Sequence, residues 1–255
     1  MAKKNRPVHP SKSWNGVADW YAGWSGAKGS IHHRKVAIPA VMHLLEVKKA
    51  QHILDIGCGP GALARHVTHK EAFYTGIDLS PKLLRLAEAK NGSGTARFLM
   101  ADATKLPVSN VIKAGSFDAA VFLLSLQDIN PLEEAIQSAA WALKPGGIIV
   151  LLLTHPCFRV PRQSGWGFDE RRKLCFRRVD RYLAALDVPM QPYEKGKGIT
   201  RSFHRPLTDY VMALSKAGFR IDALLEPPPL LGGDPKASNP DLPTFMAIRG
   251  IMRPD

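Results

Sequence analysis

Short apolar runs of strand type alternate along this chain with stretches whose apolar residues recur every three or four positions. The runs at 53–56, 73–77, 96–100, 117–124 and 148–153 predict five strands. Between them, Leu63, Ala64 and Val67, the stretch opened by Ser80-Pro81 and stopped by Asn91-Gly92, and the set Ala135, Ile136, Ala139 and Leu143 predict crossover helices. Asn130-Pro131-Leu132-Glu133 supplies the last of these with a cap, a first-turn proline and an early acid. Ahead of the first run, Ala37, Ile38, Val41, Leu44 and Leu45 have helical spacing, with Pro39 tolerable only in the first turn. The apolar run at 117–124 suits a strand covered on both faces of a parallel sheet. Regularity lapses from 156 to about 199, after which 207–217 predicts a helix stopped by Gly218, 219–225 a strand, 227–229 a proline bend and 245–251 a final strand. Strand and helix in this alternation predict an α/β fold with helices on both faces of a mostly parallel sheet.

Composition narrows the picture. A length of 255 residues, 45% of them hydrophobic, can close one large core. The expectation is a flexible basic tail at 1–13 and a single domain at 14–255, in which 156–199 is an insertion capping the substrate. Cys58, Cys157 and Cys175 are too few and too scattered for a disulfide framework or a zinc cluster, which points to a reducing compartment and no metal. No apolar stretch has the length of a membrane span, and the first residues lack the apolar centre of a secretory signal, so the expected location is cytoplasmic. A net charge of +13 raises nucleic acid, anionic surfaces and anionic substrates as partners. Lys3, Lys4, Arg6 and Lys12 in the tail supply part of it.

The centre of the sequence is Ile53-Leu54-Asp55-Ile56-Gly57-Cys58-Gly59-Pro60-Gly61, a strand breaking into a glycine turn before a helix expected from Ala62. Glycines there let the backbone turn tightly and let a bulky cofactor lie against bare main chain. Their spacing also fits the dinucleotide fingerprint G-x-G-x-x-A. Asp78 follows Gly61 by 17 residues, where a neighbouring parallel strand places an acid beside a ribose. Asp102 closes the third strand, an isolated acid in a turn that only the order of the surrounding motifs makes a partner for an adenine amino group. The segment 54–61 resembles motif I of the class I S-adenosylmethionine-dependent methyltransferases. Gly76-Ile77-Asp78-Leu79-Ser80, Ala101-Asp102-Ala103, Phe117-Asp118 and Leu143-Lys144-Pro145-Gly146-Gly147 resemble that family's later motifs, in order. The style is similar to the ubiquinone and menaquinone biosynthesis branch, closely over 35–155 and loosely at the ends.

The resemblance implies a Rossmann-like, seven-stranded sheet whose last strand is antiparallel, with an N-terminal cap and an insertion after the fifth strand. It implies S-adenosylmethionine as cofactor, S-adenosylhomocysteine as product, and Asp55, Gly57, Cys58, Gly59, Gly61, Asp78, Leu79, Asp102, Ala103 and Leu123 as cofactor contacts. The family's N-terminal segment often closes over the cofactor, which brings in Tyr21, and Arg34 as a partner for the methionyl carboxylate. Gln127 then faces the acceptor.

In the insertion, twelve cationic side chains stand against five acidic ones between Cys157 and Arg205, among aromatics that include Trp166 and Tyr182. That mixture suits a flat or anionic acceptor, with Trp166 and Tyr182 as substrate contacts and some arginines facing inward. Methyl transfer from a sulfonium needs alignment more than acid or base, but a protonated nucleophile would use a base, for which His155 and His204 stand where loops gather. The expected reaction is direct displacement to an O, N or C nucleophile of a small molecule. The alternative is an RNA methyltransferase that tracks phosphates with the insertion and tail. A nicotinamide dehydrogenase fits only the glycine loop, and a non-catalytic cofactor-binding regulator stays open. Nothing in the sequence speaks to oligomeric state.

Overall fold

The computed structural model describes residues 10–26, 29–190, 199–231 and 238–253. Most of the expected tail, with Lys3, Lys4 and Arg6, lies outside the described residues, as do Lys195 and Lys197. The first helix begins inside the expected tail, α1 at Pro10–Ser25, and a five-residue π-turn at His33–Ala37 leads into α2, Ile38–Leu45. The strands of the first half are β1 His52–Ile56, β2 Phe73–Asp78, β3 Ala96–Met100, β4 Phe117–Leu123 and β5 Leu143–Thr154. They alternate with α3 Ala64–Thr68, α4 Pro81–Asn91, α5 Leu106–Ser109 and α6 Leu132–Ala142.

The segment after β5 is not irregular. It forms two antiparallel hairpins, β6 Ser164–Asp169 with β7 Leu174–Val179 and β8 Leu186–Met190 with β9 Thr200–His204. The chain then returns to the sheet through α7 Leu207–Lys216, β10 Phe219–Leu225 and β11 Phe245–Met252. The main sheet has seven strands in the order β3-β2-β1-β4-β5-β11-β10, parallel except that β11 runs against both neighbours.

Successive residues of the central strands feed opposite faces, which is why these strands carry apolar residues without polar alternation. Leu54, Phe122 and Leu151 join Ile136, Tyr210 and Leu214 on the face covered by α5, α6 and α7. Ile53, Val121 and Val150 join Val41, Leu44, Leu63 and Val67 on the face covered by α2, α3 and α4. Ser80 caps α4 as expected, its hydroxyl accepting from the Leu83 N–H at 3.3 Å, with Pro81 in the first turn.

Three local expectations are corrected. The chain turns through 60–63 before α3 starts at Ala64, so the helix after the glycines is later and shorter than expected from Ala62. Asn130 does not cap α6; its Oδ1 accepts from Arg205 Nη2 at 3.0 Å. Leu143 leaves the helix to pair with Phe117, so β5 begins ahead of the glycine turn at 146–147.

Candidate cofactor and acceptor site

The carboxyl ends of β1, β2 and β4 meet at the glycine loop. The Gly57 and Cys58 N–H groups both donate to the Ile77 carbonyl, at 2.8 and 3.0 Å, tying the loop to β2. Gly57, Gly59 and Gly61 all have positive φ, at 73°, 53° and 77°. Their surroundings differ. A Cβ on Gly57 would stand 2.6 Å from Ser125, and one on Gly61 2.8 Å from Phe98, so both are glycine because the loop is packed there. A Cβ on Gly59 would meet only the Tyr21 ring, at 3.7 Å. Gly59 therefore presents bare backbone to the space beneath α1.

Two carboxylates frame this backbone. Asp78 accepts from Gly59 N–H at 2.9 Å through one oxygen and from Ser80 N–H at 2.8 Å through the other. Burial raises its pKa, and those N–H groups oppose the rise. Asp55 is buried, accepts from the Tyr74 hydroxyl at 2.6 Å, and has no partner for Oδ1. Burial lifts its pKa to about 7, the Tyr74 hydrogen bond opposing and the Asp78 charge adding.

Beside the loop lies a cavity of about 510 Å³, within the range of small-molecule sites. Trp14 and Tyr21 of α1, Ser30, His32 and His33, Leu124, Gln127 and Asp128 after β4, Thr154 of β5, Arg159 and Trp166 of the insertion, and Thr244 and Phe245 at the start of β11 line it, with 229–231, Ser238, Asn239 and Leu242 completing the wall. Tyr21 meets Trp14 edge-on, centroids 5.5 Å apart, and so lies between the cavity and Gly59. Burial, with the charges of Asp128, Asp78 and Asp55, pushes its hydroxyl well above the usual range.

A family model described as a methyltransferase domain matches residues 54–151. The chain is 30% identical over 178 residues to a malonyl-acyl-carrier-protein O-methyltransferase of Enterobacter lignolyticus, a match covering 69% of this chain and 66% of the relative. It is 27% identical over 201 residues to an N-demethylindolmycin N-methyltransferase of Streptomyces griseus, covering 78% and 79%. The crystal structure of an S-adenosylmethionine dependent methyltransferase from Mesorhizobium loti superposes with a TM-score of 0.69 at 25% identity, covering 89% of this chain and all of that one. The chain belongs to the S-adenosylmethionine-dependent methyltransferases.

The loop of this methyltransferase fits the family's cofactor. Gly59 leaves the space a side chain would fill, Asp55 has a buried oxygen without a partner, and Asp78 keeps lone pairs beyond its two backbone bonds. Cys58 has only its backbone to offer a ligand: its thiol faces Gly76 and the carbonyl of the next residue, Gly59, and burial keeps it neutral. Asp102 accepts from the Thr104 N–H and hydroxyl through Oδ1, at 2.9 and 2.7 Å, which fixes the turn holding Ala103. Leu79 directly follows Asp78, and Leu123 ends β4. Arg34 departs from expectation, since its side chain is exposed on the π-turn and does not line the cavity.

The expected acceptor residues divide. Gln127 and Trp166 line the cavity. Gln127 donates to the Leu124 carbonyl at 2.8 Å and leaves a buried Oε1 unpartnered. Trp166 is held between Arg159 and Arg177, whose guanidinium carbons lie 5.4 and 5.1 Å from its ring centroid. Tyr182 instead braces the start of α7, its hydroxyl accepting from Leu207 N–H at 2.9 Å, and it lies off the cavity wall.

Both expected histidines are committed elsewhere. His155 Nδ1 accepts from Cys157 N–H at 3.2 Å, which leaves the proton on Nε2 to donate to Glu226 at 2.7 Å. His204 donates from Nε2 to the Tyr182 carbonyl at 2.8 Å. Neither lines the cavity; each clamps one strand end to another segment. The titratable groups that do line it and were not foreseen are His32, His33 and Asp128. Their sequence signal was their place beside expected residues, His32 and His33 after the N-terminal aromatics and Asp128 beside Gln127.

The insertion's charge faces both ways. Arg159 points its donors inward, with Nη2 on Thr244 Oγ1 at 3.1 Å and a buried Nε without a partner, while burial and the neighbouring Arg177 lower its pKa to about 10. Arg162, Arg171, Arg172, Lys173, Arg178, Arg181 and Arg201 are exposed.

Proposed function

We propose that this methyltransferase methylates an O, N or C nucleophile of a small molecule held in the cavity between α1, the ends of β4 and β5, and the insertion. The bound cofactor supplies a methyl carbon already activated by its sulfonium, so the chain's task is to orient the acceptor and keep water out. Gly59 and its loop, with Asp55, Asp78, Leu79, Asp102, Ala103 and Leu123, would hold that cofactor, and Tyr21 would stand between it and the acceptor.

The observation that carries the acceptor class is the cavity wall of Arg159 and Trp166, a cation with an unpartnered donor beside an aromatic face. Such a wall favours an acceptor with an anionic group, a flat ring, or both. Thr154, Thr244 and the unpartnered Gln127 Oε1 add hydrogen-bonding positions. The test is S-adenosylhomocysteine formation with a panel of aromatic and aliphatic acids against their uncharged esters. Arg159→Gln should raise KM for the acids by roughly 10- to 100-fold and leave S-adenosylhomocysteine affinity unchanged. Equal turnover of acids and esters by both proteins would defeat the anionic reading.

The exposed cations of the two hairpins support the second reading, an RNA acceptor. Part of that charge is already balanced, since Lys173 pairs with Glu170 at 3.2 Å and Arg178 with Asp180 at 3.1 Å. RNA affinity that falls steeply with salt would favour it. Weak binding of every RNA at moderate salt would leave the small molecule.

A further inference from the structure

Among the described residues the cavity wall carries five titratable side chains, and four of them are unsuited to accept a proton near neutral pH. The Tyr21 hydroxyl is held far too high, and Arg159 stays a cation. His33 Nδ1 is engaged with the Ser30 hydroxyl at 2.9 Å, and burial, with His32 beside it, lowers its pKa to about 4. Burial raises Asp128 to about 8, against a hydrogen bond from Ser202 and the charge of Arg205, so near neutral pH its protonated form is the major one.

His32 is the fifth. Its ring stands edge-on to Phe245, centroids 6.3 Å apart at 80°, and lines the cavity. Nδ1 is buried with no partner, and no described group hydrogen-bonds Nε2. This contrasts with His155 and His204, whose hydrogen bonds hold them in the scaffold.

We propose that His32 is the general base of the acceptor cavity, and that the acceptor is a hydroxyl compound, a phenol or an enol, that also carries a carboxylate for Arg159. This rests on the reading of the cavity as the acceptor site. In the step, the acceptor's O–H bond breaks and its proton passes to a free ring nitrogen of His32. The oxygen keeps the electron pair and forms a bond to the methyl carbon, whose bond to sulfur breaks with that pair going to sulfur. His32 ends the step as an imidazolium and returns its proton to solvent.

The test uses the full chain saturated with S-adenosylhomocysteine and 4-hydroxy-3-nitrobenzoate as probe, a phenol with a carboxylate whose absorbance reports ionisation. Wild type should bind the probe as the phenolate at pH values where it is still largely protonated in solution, and His32→Gln should lose that downward shift while binding S-adenosylhomocysteine normally. With S-adenosylmethionine, and at a pH where the free probe is still largely protonated, methyl transfer to it should fall roughly 10²- to 10⁴-fold in His32→Gln with little change in KM, and added imidazole should partly restore His32→Ala. Identical probe ionisation or equal rates in wild type and His32→Gln overturn the proposal. So does a wild type that binds S-adenosylhomocysteine but not the probe, whereas failure to bind S-adenosylhomocysteine overturns the cofactor-site reading beneath it.

Discussion

Replacing Tyr74 by phenylalanine removes one hydroxyl from beneath the glycine loop and keeps the ring that packs there. Tyr74 and Asp55 are each 1% exposed, their hydrogen bond is 2.6 Å, and Asp55 Oδ1 has no partner, so the variant leaves a buried carboxyl with none. A buried neutral hydrogen bond contributes about 1 kcal/mol and one to a charged group about 1.5–3 kcal/mol. Which figure applies depends on pH. Folding raises Asp55 from 3.8 to about 7, so its favourable contribution is complete below the lower value and is lost as pH rises through the upper one. The Tyr74 hydrogen bond opposes that rise, so removing it raises Asp55 further and the deficit grows with pH. Urea unfolding followed by circular dichroism should show a loss of about 1 kcal/mol at pH 5 and about 2–3 kcal/mol at pH 8, with the m-value unchanged. In an Asp55→Asn background the pH dependence of the Tyr74→Phe effect should vanish. An equal loss at both pH values, or one below about 0.5 kcal/mol at pH 8, would refute the coupling.

Gly59→Val should abolish S-adenosylhomocysteine binding by calorimetry, because its side chain fills the space below Tyr21; strain at φ 53° should cost about 1–2 kcal/mol, lowering the melting temperature without changing the far-ultraviolet spectrum. Asp78→Ala should weaken S-adenosylhomocysteine by about 1.5–3 kcal/mol, and unchanged affinity would remove Asp78 from the cofactor's partners. His155→Gln and His204→Gln should each lower the melting temperature while changing turnover of a working acceptor by less than about 10-fold; the much larger loss typical of a missing base would return either residue to the chemistry.

The core was legible because burial on both faces of the sheet leaves a local mark, residues such as Ile53 and Leu54 both apolar though they serve opposite layers. The insertion was not. Its first hairpin turns at 170–173 with Lys173 at φ 49°, a position where glycine or asparagine would have given the usual signal. The second hairpin's link, 191–198, lies outside the described residues. The histidines failed for a related reason. Glu226 lies 71 positions from His155, and the carbonyl that holds His204 belongs to Tyr182, 22 positions back. Such partners exist only once the chain is folded, so two histidines at strand ends looked free. His32 looked incidental until Phe245, on the antiparallel strand, closed the cavity around it. The glycines were located correctly in sequence, but only packing separates Gly57 and Gly61, crowded by Ser125 and Phe98, from Gly59, which faces open space.

A crystal structure of the full chain with S-adenosylhomocysteine would show whether the glycine loop and the cavity form one site. Ligand density should run along 57–61, its ribose against Asp78 and its sulfur end opening past Tyr21 into the cavity that holds Arg159 and Trp166. Density elsewhere, or a bound ligand sealed off from that cavity, would mean that the loop and the cavity do not work together.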